Sequence, residues 1–197
     1  TCFVNSIAVR NPVHILSRSF FCYVTGENML RKSVILTGII SCLSTSINAS
    51  GAVTAIAQHP NLSQSHQTMQ DIISWRSLAG GGLIGMYDGH GTHNLVFEGK
   101  SRDCGRLCAE YAAEEIGSFA AQNWDAFLAG WDDRDSMRSL FSKIYTEVNA
   151  QLHSTIAGKL GGTTATTVLF KDECFWIAHV GDCRVLMIGK EAIRQLT

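Results

Sequence analysis

A chain of 197 residues that is 46% hydrophobic is long enough to bury one sizeable core. Sixteen basic residues stand against seventeen acidic ones, giving a formal net charge of −1, which excludes nucleic acid as a partner held mainly by charge. Two prolines and no low-complexity tract exclude a linker-like or disordered body.

Seven cysteines are an odd and scattered set, unlike the paired framework of a small disulfide-built domain. They favour a reducing compartment, and a cytoplasmic location is expected on that ground. Cys104 and Cys108 stand four apart on an expected helix and read as small buried hydrophobes rather than ligands.

Residues 1–60 read as an N-terminal extension, set apart by having Glu27 as their one acidic residue. From Met29 a short basic stretch, Met29-Leu30-Arg31-Lys32, leads into an apolar run from Ser33 to Leu43 and then into small polar residues through Gly51. That order has the features of a secretory signal, and Ile39-Ile40-Ser41-Cys42 is similar to a lipoprotein cleavage box. An organelle presequence or a non-native upstream extension would read the same way. Residues 29–51 therefore leave a secretory or organellar location open, and membrane association is expected only if this segment is a signal or lipid anchor. The run is too short for a mature membrane-spanning helix. Asn48-Ala49-Ser50 and Asn61-Leu62-Ser63 are glycosylation sequons of a kind common by chance.

Residues 61–197 read as a partial domain. Asp71 to Trp75 and Leu83 to Asp88 predict two strands joined by a Gly80-Gly81-Gly82 turn. Residues 92–102 predict a polar loop. A helix is expected from about Asp103 to Gln122, with Cys108, Ala112, Ile116 and Phe119 on one stripe. A second is expected from about Asp135 to Ile156, with a stripe of Met137, Leu140, Phe141, Ile144, Val148 and Leu152. Asp132, Asp133 and Asp135 crowd its start, where a helix favours negative charge. Antiparallel strands follow: Thr163 to Phe170, Cys174 to Val180, Cys183 to Ile188 and Glu191 to Leu196, separated by turns at Lys171-Asp172-Glu173, Gly181-Asp182 and Gly189-Lys190. Such an order predicts an α+β fold with helices packed on a sheet face. The chain begins at Thr1 and ends at Thr197 without a terminating pattern, and is expected to be a portion of a longer product.

Asp88 carries the chemistry. It ends the apolar run Leu83-Ile84-Gly85-Met86-Tyr87 and precedes Gly89-His90-Gly91. One carboxylate is thereby delivered from the end of a buried strand, and the turn brings a carbonyl and an imidazole to the same space. Hard metal ions take such oxygens, and phosphate chemistry often uses such ions. Taken alone, the motif also fits an aspartate that merely caps a turn. Asp182 and Arg184 read as a structural tie between hairpins, and His179 as a core or edge histidine.

Four stretches together resemble the type 2C (PPM) family of metal-dependent serine/threonine protein phosphatases. They are Met69-Gln70-Asp71, Tyr87-Asp88-Gly89-His90-Gly91, Gly161-Gly162-Thr163-Thr164-Ala165 and Ala178-His179-Val180-Gly181-Asp182-Cys183-Arg184, and Gln195-Leu196-Thr197 is similar to the start of a fifth. The resemblance covers about residues 63–197. It implies part of an αββα sandwich, two antiparallel sheets flanked by helices, incomplete at the C-terminus. It implies two Mg²⁺ or Mn²⁺ ions in the complete domain, bridged by Asp88 and bound by the Gly89 carbonyl, with Asp71 contributing indirectly. Ions about 3.5–4 Å apart can activate water for attack on phosphorus. His90 is the implied general acid, a role that suits an imidazole titrating near neutral pH. Phosphorylated proteins are the implied substrates, and a monomer is expected.

Two departures from the family pattern bear most directly on the chemistry. His66 stands where the resemblance places a phosphate-gripping arginine, whose bidentate fork an imidazole does not reproduce. Gln70 stands where it places a glutamate that holds metal-bound water. Asp71 would compensate in part, and Arg76 is one candidate to replace the arginine. These departures, with the absence of the family's later metal aspartates before Thr197, lead to an expectation of impaired phosphatase activity. They also support an alternative, a catalytically inactive scaffold that binds protein partners.

Overall fold

A computed structural model describes residues 5–9, 21–25, 70–172, 174–188 and 192–197. The segment from Met29, both sequons and His66 lie outside the described residues.

The central layer is a five-stranded antiparallel sheet. It contains β1 (Asn5–Val9), β3 (Ile72–Leu78), β4 (Gly81–Tyr87), β9 (Ala165–Lys171) and β10 (Cys174–Val180), in the order β1-β10-β9-β4-β3. A three-stranded antiparallel sheet of β2 (Phe21–Thr25), β11 (Arg184–Ile188) and β12 (Ile193–Gln195) has the order β12-β11-β2. Two strand segments of the N-terminal extension thus pair with the domain: β1 runs against β10 and β2 against β11.

Side-chain alternation gives the central sheet two buried faces. Leu83 and Tyr87 of β4, Ala165 and Leu169 of β9, and Trp176 and Ala178 of β10 point into one large core. Val168 of β9 and Ile177 of β10 point the other way and meet Val185 of β11, with Ile84, Phe175 and Leu196 around them. The second contact stacks the two sheets.

Helices cover the first face. α1 (Cys104–Gln122) buries Cys108, Ala109, Ala112, Ala113, Ile116 and Ala120, a row of small residues that lets its axis approach the sheet closely. α3 (Arg134–Ser154) buries Met137, Phe141, Ile144, Tyr145, Val148 and Leu152. Phe127 of the short α2 (Trp124–Ala129) packs at 5.3 Å ring to ring on Phe141. Each such side chain, fully buried, is worth about 1.5–3 kcal/mol. The acidic residues before α3 act as expected: the Asp133 carboxylate accepts from the backbone nitrogens of Asp135 and Ser136. α3 ends at Ser154, and Thr155 caps a separate α4 (Ile156–Leu160) where one helix running to Ile156 was expected.

Other expectations shift in register. The first hairpin turns at Ala79-Gly80, while Gly81 and Gly82 lie inside β4. The stretch read as a polar loop contains a hairpin of β6 (Asn94–Phe97) and β7 (Lys100–Asp103). The strand expected from Thr163 is broken at Thr164 into β8 (Gly162–Thr163) and β9, because β8 leaves the sheet to pair with β5 (Gly89–His90). No described helix is long and apolar enough to cross a membrane.

Candidate active site

Four strand ends converge at one edge of the central sheet. Asp71 precedes β3, Asp88 follows β4, Thr164 precedes β9, and Asp182 and Cys183 follow β10. The register places them side by side, since Ile72 pairs with Tyr87, Met86 with Thr166 and Val180 with Ala165. Antiparallel neighbours alternate direction, so these starts and ends fall on the same edge.

Asp88 is held by a reciprocal pair of contacts: its backbone nitrogen donates to Thr164 Oγ1 at 3.0 Å, and its carbonyl accepts from Thr164 N at 2.9 Å. Its carboxyl, half-buried, is pushed up to about 7. Burial is the largest cause, followed by the charge of Asp71, a hydrogen bond shared with Asp71, and the charge of Asp182. Ligand atoms of Asp88, Asp182 and Cys183 lie within 4.8 Å of one another. The Cys183 thiol is buried and meets Thr164 Oγ1 at 3.0 Å. Burial raises its pKa to about 11, with the nearby carboxylates adding to the rise, so the sulfur stays protonated at neutral pH.

Three carboxylates converge at this edge, Asp71 and Asp88 partly buried and Asp182 exposed; they repel one another, and a hard divalent cation relieves that repulsion while accepting oxygen ligands. The donor set therefore fits Mg²⁺ or Mn²⁺, with Asp88 at its centre and Asp71 and Asp182 beside it. Hard cations such as Mg²⁺ prefer oxygen donors, so the Cys183 sulfur is a poor ligand for them beside two carboxylates.

The loop after Asp88 rests on the first turn of α1. A Cβ on Gly89 would sit 2.2 Å from the Gly105 carbonyl oxygen. Glycine at 89 is thus required by backbone packing on the helix, a reason separate from any metal contact. His90 is exposed, and its ring lies over Gly162, whose Cβ would come within 2.6 Å of Nε2. Asp103 caps α1 by accepting from Arg106 N at 2.9 Å, and Cys104 N donates to the carbonyl of His93 at 2.9 Å. Arg106 Nη1 donates to the Asp71 carbonyl at 3.0 Å, which fixes the start of β3.

Gln70 Nε2 donates both to Gly91 O at 2.8 Å and to Asp103 Oδ1 at 2.7 Å. Arg76, the candidate replacement for a phosphate-gripping arginine, pairs instead with Glu114 of α1 at 3.0 Å, on the helix side of β3. His179 is half-buried on β10 with Nδ1 at 2.8 Å from Thr166 Oγ1; burial lowers its pKa. Sequence reasoning gave Asp182 a structural role only. The missed signal is that Asp182, like Asp88, stands just past an apolar strand. Gly181, at φ +108, turns the chain so that its Cα passes close to Thr164.

Stacked antiparallel sheets, a helical layer on one outer face and a carboxylate cluster at the sheet edge define a mixed α and β fold with a candidate metal site. A family model described as Protein phosphatase 2C matches residues 62–197, and the chain belongs to the protein phosphatase 2C family. It is 29% identical over 126 residues to a probable protein phosphatase 2C 64 of Oryza sativa subsp. japonica, covering 61% of this chain and 27% of that protein. A probable protein phosphatase 2C 35 of Arabidopsis thaliana is 27% identical over 115 residues, covering 58% of this chain and 28% of the relative. The chain thus spans little more than a quarter of the curated relatives it matches. Among solved structures, a serine/threonine phosphatase of S. agalactiae superposes with a TM-score of 0.51 at 24% identity, over 68% of this chain and 51% of that one, a likeness of fold.

Proposed function

We propose that this chain is part of a metal-dependent phosphatase that removes phosphate from phosphoserine and phosphothreonine in proteins. The supporting observation is the convergence of Asp71, Asp88 and Asp182 at one edge of the sheet, with the Gly89-His90 turn that follows Asp88 packed against the start of α1. Two hard cations bound there would supply positive charge for phosphoryl oxygens and lower the pKa of water. Asp88, fixed through Thr164, would hold the central ligand position, with Asp71 and Asp182 flanking it. The exposed His90 imidazole, which stands over Gly162, would give a proton to the leaving serine or threonine oxygen.

The test is Mn²⁺-dependent hydrolysis of a phosphopeptide by this chain and by its natural full-length protein. Activity is expected in the full-length protein and is lost in Asp88→Asn. Activity in the isolated chain is expected to be weak, since few carboxylates here hold two ions. Equal, robust turnover by the short chain would sink the idea that further ligands come from elsewhere, and a metal-independent rate would sink the mechanism itself.

A further inference from the structure

Gln70 links two elements that the site needs in register. Its amide nitrogen carries two hydrogens, and both are donated: one to the carbonyl of Gly91, just past the Asp88-Gly89-His90 turn, and one to Asp103 Oδ1, the cap of α1. The same Asp103 oxygen accepts from Arg106 N, so one carboxylate oxygen ties the strand lead-in and the helix start together. Gly89 and His90 lie against Gly105 in this same helical turn, with backbone too close to admit a Cβ on either Gly89 or Gly105.

We propose that Gln70 is a positioning residue, a neutral amide clip that seats the Asp88–His90 turn on the first turn of α1. This inference rests on the phosphatase reading of the site. A glutamate, which the family resemblance implies at this position, cannot make the clip. Ionised, it only accepts hydrogen bonds, and it would stand beside two acceptors, one of them charged. The glutamine is therefore a working part of this chain's site, and restoring glutamate would loosen the turn.

Three variants of the natural full-length protein test this: Gln70→Met, Gln70→Glu, and Gln70→Glu combined with Asp103→Asn. In the last, a neutral asparagine removes the charge repulsion with the new carboxylate while its oxygen, at the position shared by residue 70 and Arg106 N, still caps α1. Melting without metal, Mn²⁺ titration by calorimetry and phosphopeptide kinetics are read for each. Gln70→Glu is expected to lower Tm by about 5 °C, more than Gln70→Met does, through loss of two donations and added repulsion. The double variant is expected to regain about half of that loss, a coupling that mere volume would not produce. At 25 °C, where all variants are folded, Gln70→Glu is expected to lose kcat about tenfold with KM little changed, and to bind Mn²⁺ no more tightly than wild type. Tighter Mn²⁺ binding in Gln70→Glu, an unchanged kcat, or no recovery in the double variant overturns the clip. A wild-type protein that neither binds Mn²⁺ nor turns over phosphopeptide overturns the phosphatase reading instead, and the melting temperatures then decide the clip on their own.

Discussion

Asp88 sits where the fold concentrates like charge, and the cost of that crowding is measurable. Its folded carboxyl titrates near 7 against an ordinary 3.8, burial being the main cause. A folded state that holds its proton more tightly than the unfolded chain gains stability at low pH. That gain is fully present below about pH 4 and is lost as pH rises through about 7. Discounted for the water that reaches a half-open site, the loss is about 1–2 kcal/mol. Metal-free protein is therefore expected to melt lower at about pH 8.5 than at about pH 5.5. Asp88→Asn removes most of that difference, and saturating Mn²⁺ restores the high-pH melting temperature of the wild type. A chelated pH series of thermal melts reads this directly; an undiminished slope in Asp88→Asn would assign the effect to another group. Asp71 and Asp88 were legible in the sequence because each borders an apolar run. Asp182 was not, because a Gly-Asp turn beside Arg184 also fits a simple hairpin tie. Only the meeting of the β4 and β10 ends shows that its carboxylate joins the cluster.

At the scale of elements, the α1 start is the platform for the site, and Gly105 is its contact point. A Cβ there would meet His90 N at 2.8 Å and His90 C at 2.9 Å, both backbone atoms that cannot rotate away. Gly105→Ala is expected to push α1 off β5, at about 1–3 kcal/mol of overpacking. Urea unfolding would read the lower midpoint, and Mn²⁺ affinity of the full-length protein would fall with it. An unchanged midpoint would mean that the loop yields easily and that α1 does not brace it. The helices themselves were readable, since α1 and α3 each carry a buried stripe at helical spacing. The β6–β7 hairpin was not: Lys100, Ser101 and Arg102 are exposed in turn, so no period-two pattern marks β7 as a strand. The glycine run misled for a different reason. Gly81 and Gly82 are pressed by Phe170 and Trp124, so the residues that looked like a turn are narrow places inside a packed strand.

Across the whole molecule, the two faces of the central sheet carry unequal loads. The helix side holds a continuous core from Leu83 to Trp176, and Tyr145 stitches it by donating to the Ala178 carbonyl at 2.9 Å and sharing a hydrogen bond with Thr167 Oγ1. The contact between sheets rests on Val168, Ile177 and Val185 with a few partly buried neighbours. β9 is buried from Ala165 to Leu169 and flanked on both sides; its run Ala165-Thr166-Thr167-Val168-Leu169 has no polar–apolar alternation, which hid which residues face the helices and which face the second sheet. β12, by contrast, is exposed throughout and held by three residue pairs to β11, with Leu196 N donating to Val185 O at 2.8 Å just beyond it. Local stability follows such differences in burial. Amide exchange of the native protein is thus expected to be slower in β9 than in β12 by a factor of at least about a thousand. The site hangs from β4, β9 and β10, so its ligands would keep their geometry while the second sheet opens and closes. Equal protection of Ile193–Gln195 and Ala165–Leu169 would show instead that both sheets unfold as one unit, and that the site's rigidity depends on the whole sandwich.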